Sequence, residues 1–182
     1  MINSDAKAVL NFWFNDISPE KWWQKDPEFD QEIERRFLHL HHAANSGELF
    51  SWRDTPQGRL AEIIVLDQFS RNIFRDCPQA FASDPLALVL AQEAVSLGVD
   101  MKVADNMRSF FYLPFMHSES LVIHEQAVIL YEKLGNAPSL TFEIKHQDII
   151  KQFGRYPHRN AILGRVSTAE ENAFLQQPGS SF

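Results

Sequence analysis

Cysteine is all but missing. Cys77 stands alone in 182 residues, so no internal disulfide can form, and a reducing, cytoplasmic setting is expected. Asp76 and Pro78 flank it in a turn, and a neighbouring carboxylate disfavours a reactive thiolate. Long apolar runs are also missing: nothing approaches the ~20 residues of a membrane span. The opening MINSDAKAVLNFWFND puts Asp5 and Lys7 before a short apolar run without a small-residue cleavage site. That is the pattern of an amphipathic helix, not of a signal peptide. No stretch alternates with period 2, so strands are not expected. Glycine patterns for phosphate or dinucleotide binding are absent, and no cofactor is expected.

Metal signatures stop halfway. Glu143-Ile-Lys-His146 matches one half of a carboxylate di-iron motif, but no second Glu-x-x-His exists. His124-Glu125 begins like a zinc-protease helix, yet Val128 occupies the place of the second ligand. His39, His41 and His42 fit a solvated helix edge better than a metal site, so no metal is expected. Positive charge is scarce as well: 17 Lys/Arg against 24 Asp/Glu give a net charge of −7. This argues against a nucleic-acid or anionic-membrane partner. The exception is Lys145 to Arg165, where five Lys/Arg meet one acid, a local +4 that leaves −11 for the remainder. A basic patch on an acidic body suits a small anionic molecule or an acidic peptide.

Helix boundaries are abundant. Ser18-Pro19, Asp26-Pro27, Thr55-Pro56 and Asp84-Pro85 each offer a capping oxygen followed by proline at the first helical position. Thr168-Ala169-Glu170-Glu171 reads as a capping box, and Gly47, Gly98, Gly135 and Gly154 each follow a periodic segment. These marks predict helices over 4–15, 19–24, 27–45, 56–74, 84–97, 105–112, 118–134, 139–153 and 168–176. The fold class is therefore all-α: one domain of eight or nine antiparallel helices, with 176–182 a surface tail whose terminal Phe182 could dock back. DPLALVLAQEAVSLG, ending at Gly98, and SLVIHEQAVILYEKLG, ending at Gly135, lie 37 residues apart. That spacing is near the 34-residue tetratricopeptide period. It points to an irregular tetratricopeptide-like stack, with FLHLHHAANSG as a fainter copy.

The chain is organised around Leu60–Arg75, LAEIIVLDQFSRNIFR. Its Leu, Ile, Val and Phe side chains cover most of a helix circumference, as in a helix buried at the centre of a domain. Asp67 and Arg71, and Gln68 and Asn72, break that surface at i,i+4 spacing and form one polar strip. Buried charge must be paired, since an unmatched partner costs roughly 3–5 kcal/mol. Polar groups from elsewhere must therefore face the strip, as a structural network or as a pocket.

LDQFSRNIFR, with FFYLPFMHSE at 110–119 and FGRYPHRN at 153–160, resembles a bacterial family, domain of unknown function 924. The similarity extends over NFWF at 11–14, WW at 22–23, GRLAEIIVLDQFSRNIFR at 58–75 and GRVSTAEENAFL at 164–175. It covers nearly the whole chain. What it implies is an all-helical, tetratricopeptide-like fold; it implies no activity and no catalytic residues.

Candidate chemistry comes from the residues themselves. Pro114 should end or kink one helix, with the next starting near Ser118, so His117 and Glu119 would sit at a helix N-terminus. There His117 could move a proton while Glu119 or Asp67 orients it; the alternative is that both merely cap and pack. Arg155, His158 and Arg159 in the turn GRYPHRN could clamp a carboxylate or phosphate. Alternatively, the arginines pin the C-terminal helices through acids such as Asp67, Glu119 or Asp148. Together with Arg71, Asn72 and Tyr112, these residues define a candidate buried pocket for a small anionic ligand, and with it acid–base catalysis. A peptide- or protein-binding scaffold is the competing reading. Trp13, Trp22, Trp23 and Trp52 serve either as core or as an aromatic wall, and adjacent Trp22 and Trp23 cannot both point inward.

Overall fold

At Asp26 and Thr55 side-chain caps start helices where the sequence places them. In the computed structural model, whose described residues are 1–181, Asn3 caps α1 (Ser4–Asn11) and Asp26 caps α2 (Pro27–Asn45). Thr55 caps α3 (Pro56–Ile64), which passes through a π-helical turn, Val65–Phe69, into α4 (Ser70–Ile73). The short α5 (Gln79–Ala82) leads to α6 (Asp84–Ser96) and α7 (Asp105–Met116). Then follow α8 (Leu121–Leu134), α9 (Ala137–Phe153) and α10 (Ala169–Leu175). Eight of these have seven residues or more, and the described residues contain no strand. The fold is all-α, as the sequence predicts. No helix among the described residues is long and apolar enough to cross a membrane.

Three local expectations need correcting. The predicted helix 19–24 is a 3-10 turn, Pro19–Trp23. Asp84 does not cap α6; Ser83 occupies that position, and Asp84 is the first helical residue. Pro114 does not end α7 either. It lies inside the helix, two residues from the end. Every residue from Phe110 to Met116 is buried, and that burial outweighs the hydrogen bond that proline cannot donate. His117 and Glu119 consequently lie in the connection ahead of α8, whose N-cap is Ser120, rather than on its first turn.

The contacts divide the chain into two compact units: 1–75 with 79–114, and 76–78 with the residues from Phe115 onward. The first unit is built on aromatic rings. Phe37 stacks on Phe69 at 4.9 Å between centroids, Phe12 lies 5.1 Å from Phe37, and Trp13 meets Phe69 edge-on at 5.5 Å. Trp13 and Trp52 are core residues, and Trp22 packs edge-on against Phe110 at 4.9 Å. Trp23 is 66% exposed, so the adjacent pair does divide between inside and outside.

In the second unit α8 and α9 form a hairpin. Gly135 ends α8 in the left-handed region at φ 73°, and the side chain of Asn136 caps α9. Gly154 ends α9 in the same way at φ 68°. The chain then turns back through Tyr156 and a 3-10 turn, Pro157–Arg159, that packs on α10. Ile149, Ile150 and Tyr156 form a small core there, flanked by Phe153 and Phe174. Thr168 and Glu171 make the expected capping box on α10. After α10, 176–179 are exposed and Ser180 is buried, its hydroxyl donating to the Leu175 carbonyl. The expectation for Phe182 lies outside the described residues.

Candidate functional site

The polar strip of the long helix is engaged by partners of the first unit. Asp67 is 1% exposed and accepts a hydrogen bond from Gln68 at 2.6 Å. The Arg71 guanidinium lies 3.3 Å from Asp67 and also donates to both oxygens of Asp84, at 2.9 and 3.0 Å. Asn72 turns instead to Asp30 at 2.8 Å, and Arg75 grips the same carboxylate in a bidentate pair. The π-helical turn carries Asp67 and Gln68. It adds a residue to the turn, so the i,i+4 register on which the strip was drawn does not continue evenly through it.

Other polar groups of the first unit join up. His41 meets Ser70 at 2.8 Å, Ser70 donates to the Leu66 carbonyl, and Asn45 links His41 to Ser83. Burial pushes the His41 imidazole down to about 4, with a smaller contribution from His42. Tyr112 donates to Asp100 at 2.7 Å, and burial first, then Asp100, raises its phenol above the ordinary range.

The second unit gathers the remaining sequence candidates around Tyr156. Glu119 accepts from the Tyr156 backbone N–H at 2.7 Å and pairs with Arg165 through both oxygens, at 2.7 and 2.9 Å. Arg159 donates to the His117 carbonyl at 2.9 Å and lies over the Tyr156 ring, 4.7 Å from its centroid. The His158 ring is 5.5 Å from that of Tyr156. Arg155 points to Glu171, at 2.6 and 2.8 Å. That pairing, followed by the Thr168 N–H, holds the Glu171 carboxyl down at about 2 against the upward push of burial.

Beneath these lies a cluster that the sequence motifs did not assemble. His124 and Glu143 are both 0% exposed, and Nδ1 of the one meets Oε1 of the other at 2.6 Å. His124 Nε2 faces the Ser118 carbonyl at 2.8 Å and the Tyr156 hydroxyl at 3.1 Å. Tyr156 in turn donates to the Met116 carbonyl at 2.5 Å. Oε2 of Glu143 is buried without a hydrogen-bond partner. Burial raises the Glu143 carboxyl above its ordinary value, and the bond to His124 only partly opposes it. His146, one turn along α9, stacks edge-on against Tyr156 at 5.7 Å. Burial drives its imidazole down to about 3, and the fields of His117, His124 and His158 add to that.

Four of the seven histidines therefore share one neighbourhood. Read for metal motifs, the segments around His124 and Glu143 lead nowhere. Read for helix faces, they are informative. His124 falls on the stripe of Ala127 and Tyr131, and Glu143 on that of Gln147 and Ile150, at spacings of three, four and seven. An ionisable side chain on each apolar stripe of a helix hairpin must find its partner on the other helix. Among the described residues, no group of three or more His, Cys, Asp or Glu is arranged to hold a metal ion.

The structure is similar to that of a protein of unknown function from Agrobacterium tumefaciens, with a TM-score of 0.91 and 40% sequence identity over 95% of this chain and 97% of that one. No curated protein matches the chain. The family described as bacterial protein of unknown function (DUF924) matches residues 9–179, and so spans both units. The chain belongs to the DUF924 family.

Proposed function

We propose that the protein binds a small anionic molecule in the second unit and handles it by proton transfer. The observation that carries this reading is the gathering of three histidine rings and Arg159 around Tyr156, with His117 close enough to act on His146. His117 and His158 are half-buried, whereas His124, His146 and Arg159 are buried. The arrangement supports a site with imidazoles at its edge and a guanidinium behind them. Imidazole is the side chain whose ordinary titration range lets it accept and return a proton near neutrality. A planar guanidinium is suited to carboxylate or phosphate.

In this reading His117 and His158 exchange the proton, Arg159 faces the anion, and Glu119 and Arg155 hold the turn through Arg165 and Glu171. Asp67, Arg71, Asn72 and Tyr112 keep the first unit's helices in register. The same proposal takes the protein as cytoplasmic and its α8–α9 hairpin as one repeat of a tetratricopeptide-like stack. What supports these two points is the lone, exposed Cys77 and the matching Leu-Gly helix ends.

The experiment is a histidine-ring NMR titration with inorganic phosphate and with acetate. Saturable movement of the His117 and His158 signals is expected. It should be lost in His117→Asn and His158→Asn variants whose far-UV circular dichroism is unchanged. Rings that ignore both anions, or that move equally in the variants, overturn the reading. Saturation only by an acidic peptide would transfer the site to the scaffold alternative.

A further inference from the structure

We propose that His124 and Glu143 form a one-proton latch, which holds the 117–120 connection, and with it His117 and Glu119, against α8 and α9. The hydrogens at these contacts can be counted. The Ser118 carbonyl can only accept. The Tyr156 hydroxyl spends its hydrogen on the Met116 carbonyl, so it too can only accept from His124. Nε2 of His124 faces both and must carry a hydrogen. Nδ1 then stands 2.6 Å from Glu143 Oε1, a contact that requires a hydrogen between the two atoms.

A neutral imidazole has one N–H, and here it is on Nε2. The second hydrogen therefore belongs to the pair, and an uncharged Glu143 donating to Nδ1 is the form that a fully buried site favours. The unpartnered Oε2 argues the same way, since an ionised carboxylate would leave half of its charge without a donor. Burial raising the Glu143 carboxyl agrees with this. Tyr156 is a titratable group in contact with the pair. His146 is next along α9, with His117 and His158 acting on it from the connection and the turn. His146 is held neutral by burial, its Nδ1 bonded to the Phe142 carbonyl, and so does not supply the shared hydrogen.

Removing that hydrogen forces a choice. The single remaining N–H of His124 can go to the Glu143 carboxylate or to the Ser118 carbonyl, and not to both. An ionised carboxylate is the stronger acceptor, so the hydrogen moves to Nδ1. The Tyr156 hydroxyl can turn to donate to the bare Nε2, but the Ser118 carbonyl loses its donor, and the connection is released. Rising pH thus opens the latch. The latch needs no ligand at the site.

The test uses the whole protein, with ring-nitrogen NMR of His124 and backbone amide shifts of 117–120 followed from roughly pH 6 to 10. The expected result is a protonated Nε2 at the acid end, with the amides moving in step as Nε2 loses its hydrogen. In Glu143→Gln the amide N–H donates to Nδ1 in place of the acid, so the same signals should stay fixed. A deprotonated Nε2 at the acid end overturns the latch. So does a connection that never titrates, or one that titrates identically in Glu143→Gln. If that variant does not fold, the wild-type ring signals decide alone.

Discussion

Glu119 and Arg165, 46 residues apart in sequence, meet in a double hydrogen bond at 2.7 and 2.9 Å. The same carboxylate also receives the Tyr156 backbone N–H. One acid thus fastens the connection after α7 to the turn after α9 and to the segment leading into α10. Burial pushes the Glu119 carboxyl up, but the hydrogen bonds from Arg165 and Tyr156 outweigh it and leave it below the ordinary value.

Arg165→Ala should destabilise the protein by about 2 kcal/mol in urea unfolding. That figure lies between the ~1 kcal/mol of an exposed pair and the roughly 3–5 kcal/mol of a fully buried one, because both side chains are about a quarter exposed. Since the folded carboxyl titrates below the unfolded one, the wild-type contribution is complete above the ordinary glutamate range. It fades as pH falls through the lowered value. A loss that is the same at acid and neutral pH would contradict the pairing.

Arg71 is the corresponding hub of the first unit, shared between Asp67 and Asp84. Replacing it with alanine takes a guanidinium away from Asp67, which is 1% exposed, and from Asp84. A loss of about 3 kcal/mol is expected. Arg71→Lys should recover only part of it, because an ammonium cannot donate in parallel to both Asp84 oxygens. Full rescue by lysine would show that point charge alone matters there.

These two hubs show what a single sequence could and could not disclose. Asp26-Pro27 and Gly47 write both ends of α2 into local chemistry, and α2 has the predicted limits. Pro114 was misleading because burial of Phe110–Met116 overrides a local preference that periodicity cannot weigh. Asp67 was legible as a buried acid that needs a partner, and Arg71 as the partner at helical spacing. Asp84, Asp30 and Asp100 were not, because their roles depend on which helices the tertiary fold brings together. Likewise Arg155 announces an anion, but only the fold shows Glu171 against it. His124 and Glu143 were hidden for another reason. Motif spacing looks along one helix, whereas this pair bridges two.

Gly58 shows a constraint that composition cannot reveal. It is helical and buried in α3, and a Cβ built on it would lie 2.0 Å from the Trp52 carbonyl oxygen, a backbone atom that cannot swing aside. Gly58→Ala improves helix propensity by roughly 1 kcal/mol. The overlap should nevertheless dominate, for a net loss of about 2 kcal/mol as the Phe50–Asp54 turn is pushed off α3. A thermal melt checks the sign directly; a more stable alanine variant would mean that the turn yields without cost.

Acid should weaken the first unit through His41. Its imidazole titrates at about 4 when folded, against 6.5 ordinarily, because it is buried against Ser70 and Phe74. Between those values the unfolded chain binds a proton that the folded chain refuses. Stability is therefore complete above the ordinary histidine range and declines as pH falls towards 4, by at most about 1.4 kcal/mol per pH unit for each such proton. His41→Gln keeps a hydrogen-bonding group near Ser70 and removes the titration. Urea midpoints measured from pH 7 down to about 4.5 should fall less steeply for the variant than for the wild type. His146 has the same sign and leaves a residual slope in His41→Gln. Parallel slopes for the two proteins would place His41 in contact with water rather than sealed beside Ser70.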